Sequence, residues 1–303
     1  MIEIIKNPKI DFMGKRFYSL VLALIFIILG SVAIVQIANN RAKLGIDFVG
    51  GTAVQIEFSK RVALEEVRTA LHKGGITDFD LQDFPLKNQI LITIKKGAKA
   101  SGGFSEEILS ILKQSFSENK FTVLSTTEIG PRVGAALKGD ALKAIIAALI
   151  GILIYIWWRF RFMFSIGATI ATFHDVLAVL GIFYVLGKEI NLILVSALLM
   201  IAGFSLTDTV VVFDRIRENM KIRHKEPAYT VINQSINEVL SRTIITSLTV
   251  FLTAFSLFVF GGEVVHDFAL AVMLGIIVGT GSSIFIASPV VLMMSGKKVV
   301  VKK

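Results

Sequence analysis

Asp208 lies in the apolar run "SLTDTVVVFDRIREN" (205–219), and a carboxylate there needs a chemical reason. On a membrane-crossing helix rising 1.5 Å per residue, it would sit about 8 Å inside the end of a span that stops near 213. A charge near the centre of such a helix costs about 2.5–3.5 kcal/mol on insertion scales, and the cost falls if the group takes up a proton or meets a cation. A mobile cation beside a desolvated carboxylate would switch its protonation, which is the chemistry a proton carrier needs. The candidate cation is Arg242, which opens the next apolar run. Thr246, Thr249, Thr253 and Ser256 follow at steps of four, three, four and three, so hydroxyls and guanidinium share one helical stripe. That stripe can carry a water chain or pack on another helix through hydroxyl bonds, and Arg242 can equally snorkel to the interface.

Other polar groups recur where only apolar ones are expected. His174 and Asp175 stand near the middle of the run 162–186, a pair suited to a proton relay or to a structural clasp. No further ligand cluster accompanies them, so no metal is expected. Gly275 and Gly279, extended by Ala271 and Ser283, make a small-residue face suited to helix packing. Asp214, Arg215, Arg217 and Glu218 form a charged helix end where ion pairs are ordinary and weak. HExxH, P-loop, GxSxG and dinucleotide-binding glycine patterns are missing, so neither an enzyme nor a catalytic residue is expected.

The elements that must position these groups are membrane helices. The sequence is 54% hydrophobic with a mean hydropathy of +0.72, beyond the usual apolar share of a soluble domain. Six apolar runs, roughly 17–38, 141–158, 162–186, 190–213, 243–260 and 268–294, are each long enough to cross about 30 Å of hydrocarbon as a helix. The first follows Lys15 and Arg16 like a signal peptide, but it is longer than a signal core and no small-residue cleavage site follows, so it reads as an uncleaved anchor. The chain has no cysteine, which excludes disulfides and thiolate metal sites.

The net charge of +9 reports topology. With alternating spans, nearly all Lys and Arg outside residues 39–138 fall on one side, and only Lys143 and Lys188 fall on the other. The positive-inside rule then puts both termini in the cytoplasm and residues 39–138 outside. A nucleic-acid partner is not expected, whereas membrane lipid is.

Three segments follow: 1–38 with the first span, an outside domain at 39–138, and a five-helix membrane domain at 139–303 with a cytoplasmic loop at 214–241. In the outside block "TAVQIEF" (52–58), "ITDFDLQDF" (76–84), "NQILITIKK" (88–96) and "FTVLSTTEI" (121–129) read as strands. "LEEVRTALHK" (64–73) and "EEILSILKQSF" (106–116) have helical spacing, giving an α+β ferredoxin-like βαββαβ plan. Its open sheet face can bind an extended chain or pack on a partner domain. In the loop, Val231, Ile232, Ile236, Val239 and Leu240 predict an amphipathic helix lying at the bilayer interface.

The chain resembles the SecF family of bacterial protein-export membrane proteins over nearly its whole length. The resemblance rests on "GIDFVGGT" (45–52), "IGPRVGAAL" (129–137), "RFRFMFSIGATIATFHDV" (159–176), "GFSLTDTVVVFDRIREN" (203–219), "SRTIITSLT" (241–249) and "DFALAVMLGIIVGTGSS" (267–283). It implies kinship with proton-driven resistance-nodulation-division transporters, and use of the proton motive force to help draw preproteins across the inner membrane late in translocation. It implies Asp208 as the proton-coupling aspartate and Arg242 as its partner, with His174, Asp175, Thr246, Thr249 and Thr253 as a secondary polar relay. Gly50 and Gly51, with Gly130, Pro131 and Gly134, would shape the links to the outside domain. Where members of the family often carry Tyr and Asn, this chain has Phe204 and Thr207. The coupling ion would be the proton, with no other cofactor. Implied partners are SecD, the Sec channel SecYEG, YajC and translocating preproteins. Two other readings stay open: a structural subunit that conducts no protons, and half of a proton-driven efflux transporter.

Overall fold

The computed structural model describes residues 8–39, 41–84, 88–95 and 104–295. The chain divides into two compact units, Leu44–Lys143 and the remainder, Met1–Lys43 with Ala144–Lys303. In chain order the elements are α1 (Arg16–Ala38), α2 (Ile46–Val49), β1 (Gly51–Phe58), α3 (Leu64–Lys73), β2 (Asp80–Phe84), β3 (Gln89–Lys95), α4 (Phe104–Ser115) and β4 (Phe121–Ile129). There follow α5 (Pro131–Arg159), α6 (Phe162–Val185), α7 (Leu192–Ile222), α8 (Ala228–Phe260), α9 (Glu263–Ser282), a π-helical turn (Ser283–Ala287) and α10 (Ser288–Ser295).

The smaller unit is a four-stranded antiparallel sheet in the order β2-β3-β1-β4, the ferredoxin-like arrangement of a βαββαβ chain. Alternation decides its register: Val54 lies opposite Ile92 and Ile56 opposite Ile90, so the apolar set of both strands falls on one face. That face buries Val54, Ile56, Phe58, Ile90, Ile92 and Ile94 against Val67 and Leu71 of α3 and Ile108 and Leu112 of α4. Gly50 turns the chain into β1 at φ +78°, where a side chain would be strained, and a Cβ there would come within 2.9 Å of Pro131. Pro131 takes the first helical position of α5, where its missing N–H is no loss.

Six helices among the described residues are long and apolar enough to cross a membrane: Met13–Ala38, α5, α6, α7, α8 and the composite Val265–Ser295. Of these, α6, α7 and Val265–Ser295 are buried over more than half of their spans, and the others over less than a fifth. The first three therefore make the core and α1, α5 and α8 flank it.

The cytoplasmic loop expected at 214–241 is a helical hairpin instead: α7 continues to Ile222, α8 starts at Ala228, and only 223–227 connect them. Polar bonds tie the two extensions together. Arg215 Nε meets Glu238 Oε2 at 2.6 Å, while Asn219 Nδ2 donates to Ser235 Oγ at 3.0 Å and to Glu238 Oε2 at 2.7 Å. Val231, Ile232, Ile236 and Leu240, expected to face lipid, are buried in the helical core, with Val239 packed against it. An amphipathic pattern does not tell which apolar surface a helix meets, and here it is protein.

The same stretch of α8 grips the segment before α1. Asn233 Oδ1 accepts from the backbone N–H of Phe12 (2.8 Å) and Met13 (3.2 Å), and Asn233 and Asn237 both donate to Ile10 O. Tyr229, one turn earlier, donates to Asp11 Oδ1 at 2.5 Å. That bond and the Gly14 N–H hold the exposed Asp11 carboxyl below its ordinary value of 3.8. A depressed value in the folded state contributes stability that is fully present above the unfolded value and is lost as pH falls through the folded one. Tyr229→Phe is therefore expected to speed amide hydrogen exchange at residues 10–14 at neutral pH, and the difference from the wild type should vanish as acid protonates Asp11. Equal exchange at neutral pH would mean that the asparagines alone hold the segment.

Candidate functional site

The polar groups of the helical core converge on two carboxylates from neighbouring helices. Asp175 of α6 is fully buried and Asp208 of α7 is 6% exposed. Asp175 is held by three donors or donor-acceptors: His174 Nδ1 at 2.9 Å on Oδ1, and the hydroxyls of Ser205 and, at 2.7 Å, Ser282 on Oδ2. Asp208 Oδ2 accepts from Ser283 Oγ at 3.0 Å. Thr243 Oγ1 of α8 faces Asp208 too, but is buried without a well-formed hydrogen bond. Ser282 and Ser283 are adjacent in sequence, so one turn of backbone links the two carboxylates. Asp175 also lies close enough to act electrostatically on Asp208, and among the described residues no Lys or Arg makes an ion pair with either.

The supporting helices are shaped to permit this. A Cβ on Gly275 would run into the Ile201 side chain of α7, and one on Gly279 would come 3.2 Å from Ser205 Cβ. The absence of side chains at both lets the composite helix lie close on α7, bringing Ser282 and Ser283 within reach of the acids. Just beyond, the helix widens into the π turn Ser283–Ala287, with Ser288 Oγ taking up the Ser283 carbonyl at 2.9 Å. Such turns are rare, cluster at functional sites, and here begin at the residue that touches Asp208.

Comparison with known proteins assigns this architecture. Residues 108–297 match the family described as "Protein export membrane protein SecD/SecF, C-terminal", and residues 37–61 match the SecD/SecF GG motif. The chain belongs to the SecD/SecF family. Among curated relatives, Protein translocase subunit SecF of Thermodesulfovibrio yellowstonii is 57% identical over 305 residues, covering all of both chains. Protein translocase subunit SecF of Calditerrivibrio nitroreducens is 42% identical over 300 residues and 96% of each chain. Among solved structures, SecDF of Thermus thermophilus, described as a translocon-associated membrane protein, superposes with a TM-score of 0.81 at 34% identity. The match covers 95% of this chain and 39% of that longer one. A SecDF structure in a super-membrane-facing form gives a TM-score of 0.69.

Of the residues singled out by their resemblance to this family, Asp208, Asp175 and His174 come together, but Arg242 does not join them. Arg242 is exposed, and among the described residues it has no ion pair with Asp208. The reason is rotation: successive residues turn by about 100°, so Thr243 faces α7 and Arg242 points away from it. Thr246, Thr249 and Thr253 share its exposed face, with hydroxyls turned back onto Arg242 O, Thr246 O and Thr249 O at 3.1, 2.7 and 3.0 Å. None of these hydroxyls is hydrogen-bonded to Asp208. Phe204 is half-buried, and the Thr207 hydroxyl bonds Gly203 O at 3.0 Å, so neither reaches the acid by a hydrogen bond.

His174 has its ring edge-on to Phe26 of α1, and its Nε2 is buried without a partner. In the GG motif Gly51 opens β1; outside it, Gly130 precedes Pro131, and a Cβ on Gly134 would lie 2.9 Å from Gly50 N. Sequence reading missed Ser205, Ser282 and Thr243 as neighbours of the acids, and counted Ser283 only as a small residue. The available signal was the Ser-Ser pair inside an apolar span, since a buried hydroxyl seeks a partner.

Gly275 and Gly203 make a direct test of the packing, because the first meets Ile201 and a Cβ on the second meets nothing within 4 Å. Gly275→Leu is expected to lower the thermal unfolding midpoint in detergent by an amount equivalent to about 1–3 kcal/mol. Gly203→Ala should be neutral or stabilising by up to about 1 kcal/mol through helix propensity. Equal midpoints for the two variants would remove close α7 packing as the reason for Gly275.

Proposed function

We propose that this protein is an accessory subunit of the Sec translocase that works with SecD and uses the proton motive force to assist late translocation of preproteins. The observation that carries the proposal is the inequality of the two buried acids. Asp175 has three partners, whereas among the described residues Asp208 has one hydroxyl and no cation. A carboxylate held by several donors is a fixed clasp; one with few partners in a dry interior is the group whose charge a proton can add or remove. Asp208 is thus the coupling residue, and Asp175 with His174 the rigid frame beside it.

The exposed face of α8 supports a membrane partner. An arginine and three threonines along a membrane span are poorly placed toward lipid, and a second helical bundle would cover them. SecD is that bundle in this reading, and Arg242 meets a group that SecD supplies or orders. The protein lies in the bacterial inner membrane with cytoplasmic termini, which puts the sheet-bearing unit outside, next to emerging preproteins. SecYEG and YajC complete the assembly. The protein catalyses no covalent chemistry, and the proton is its only coupling ion. One charge crossing 100 mV yields about 2.3 kcal/mol, so export of one chain takes many cycles.

The test is gradient-dependent export by membrane vesicles carrying wild type or Asp208→Asn, at equal SecD association measured by pull-down. Asp208→Asn is expected to abolish the gradient-dependent part and spare the part driven by ATP alone. Unchanged gradient dependence would reject proton coupling and leave a structural subunit.

A further inference from the structure

Ser283 Oγ carries one hydrogen and faces two acceptors at the same distance, Asp208 Oδ2 at 3.0 Å and Thr280 O at 3.0 Å. A hydroxyl both donates and accepts, so two complete arrangements exist. With Asp208 ionised, the Ser283 hydrogen points to the carboxylate and Thr280 O loses that donor. With Asp208 protonated, the acid hydrogen points to Ser283 Oγ, and the Ser283 hydrogen turns to Thr280 O. In both arrangements Asp208 and Ser283 stay bonded, and one proton has been added to the pair. We propose that Ser283 is a positioning residue that converts the protonation state of Asp208 into the shape of the composite helix at its π turn, an inference that rests on the role of Asp208 proposed above.

Three features of the surroundings make the second acceptor consequential. Ser283 is the first residue of the π turn, and its own carbonyl is tied to Ser288 Oγ. A serine hydroxyl bonded back to its own helix bends that helix, so adding or removing the bond to Thr280 O changes the bend at its softest point. Thr280 in turn shares a 2.7 Å hydroxyl bond with Ser247 of α8, so a change of bend reaches the helix whose other face carries Arg242. The neighbouring Ser282 has the same pair of options, Asp175 Oδ2 at 2.7 Å and Gly279 O at 3.0 Å, but the full set of donors on Asp175 fixes it. The groups that face Asp208 are Asp175, with its partner His174, from α6, Thr243 from α8 and Ser283 from the composite helix, so Asp175 is the only other acid beside it among the described residues.

The experiment is a double-mutant cycle on the full chain assembled with SecD. Amide hydrogen exchange is measured across residues 280–288 in wild type, Asp208→Asn, Ser283→Ala and the double variant, with Asn as the neutral stand-in for the protonated acid. Asp208→Asn is expected to change exchange in this turn when Ser283 is present and to have no effect when it is Ala. In export, Ser283→Ala should lower the gradient-dependent part roughly tenfold, the size expected when a charged acceptor loses its donor. Ser283→Thr, which keeps the hydroxyl, should restore it, while gradient-independent export stays level. Should Ser283→Ala fail to assemble, Ser283→Cys keeps the volume with a weak donor and is expected to behave like it. The same response to Asp208→Asn in both backgrounds, or full gradient-dependent export by Ser283→Ala, would overturn the switch. Loss of export in Asp208→Asn alongside normal Ser283→Ala would overturn the switch alone, whereas normal export in Asp208→Asn would sink the proton-coupling role itself.

Discussion

A carboxylate inside a membrane span must be satisfied by the protein, because no water waits in the hydrocarbon to do it. Two such groups on adjacent helices, without a Lys or Arg paired to either among the described residues, set the design of the helical core. Their hydroxyl donors come from neighbouring helices, and a hydroxyl on a short side chain reaches an acid only if the backbones are close. Gly275 and Gly279 meet that demand by removing side chains opposite Ile201 and Ser205. Two consecutive serines on a regular helix point about 100° apart, so one helix can serve two acids only where these lie on either side of its facing edge. The arrangement of α6, α7 and the composite helix follows from that single requirement.

The sheet-bearing unit was legible because its signals are local. Strand alternation in 52–58 and 88–96 carries its own facing information, and a one-residue slip of β3 against β1 would turn Ile90 and Ile92 out of the core. Asp208 was legible because an acid among valines needs no neighbour to stand out. That Arg242 points away from Asp208 was not, since alternation of the spans gave an expected side and depth but no rotation about the axis of α8. Thr243, one position on, carries the polar group that faces Asp208. The hairpin at 214–241 was missed for a related reason: its charges read as a solvated loop, yet Arg215 of α7 and Arg223 just past its end both bind Glu238 of α8. Charge pairing between segments leaves no periodic trace in either one.

Under the proposed coupling, α8 lies between three sets of contacts. Its inner face meets the core through Thr243 and Ser247, its outer face presents Arg242, Thr246, Thr249 and Thr253, and its first turns hold the segment leading into α1. A helix in that position is loaded from three sides, so a small change at any of them shifts it against the others. Moving the Ser283 hydroxyl between Asp208 and Thr280 alters the composite helix where Ser247 touches it, and α8 carries the change to the face that a partner would cover. Arg242 need not touch Asp208 in this scheme: one face of the helix senses the charge and the opposite face presents the response.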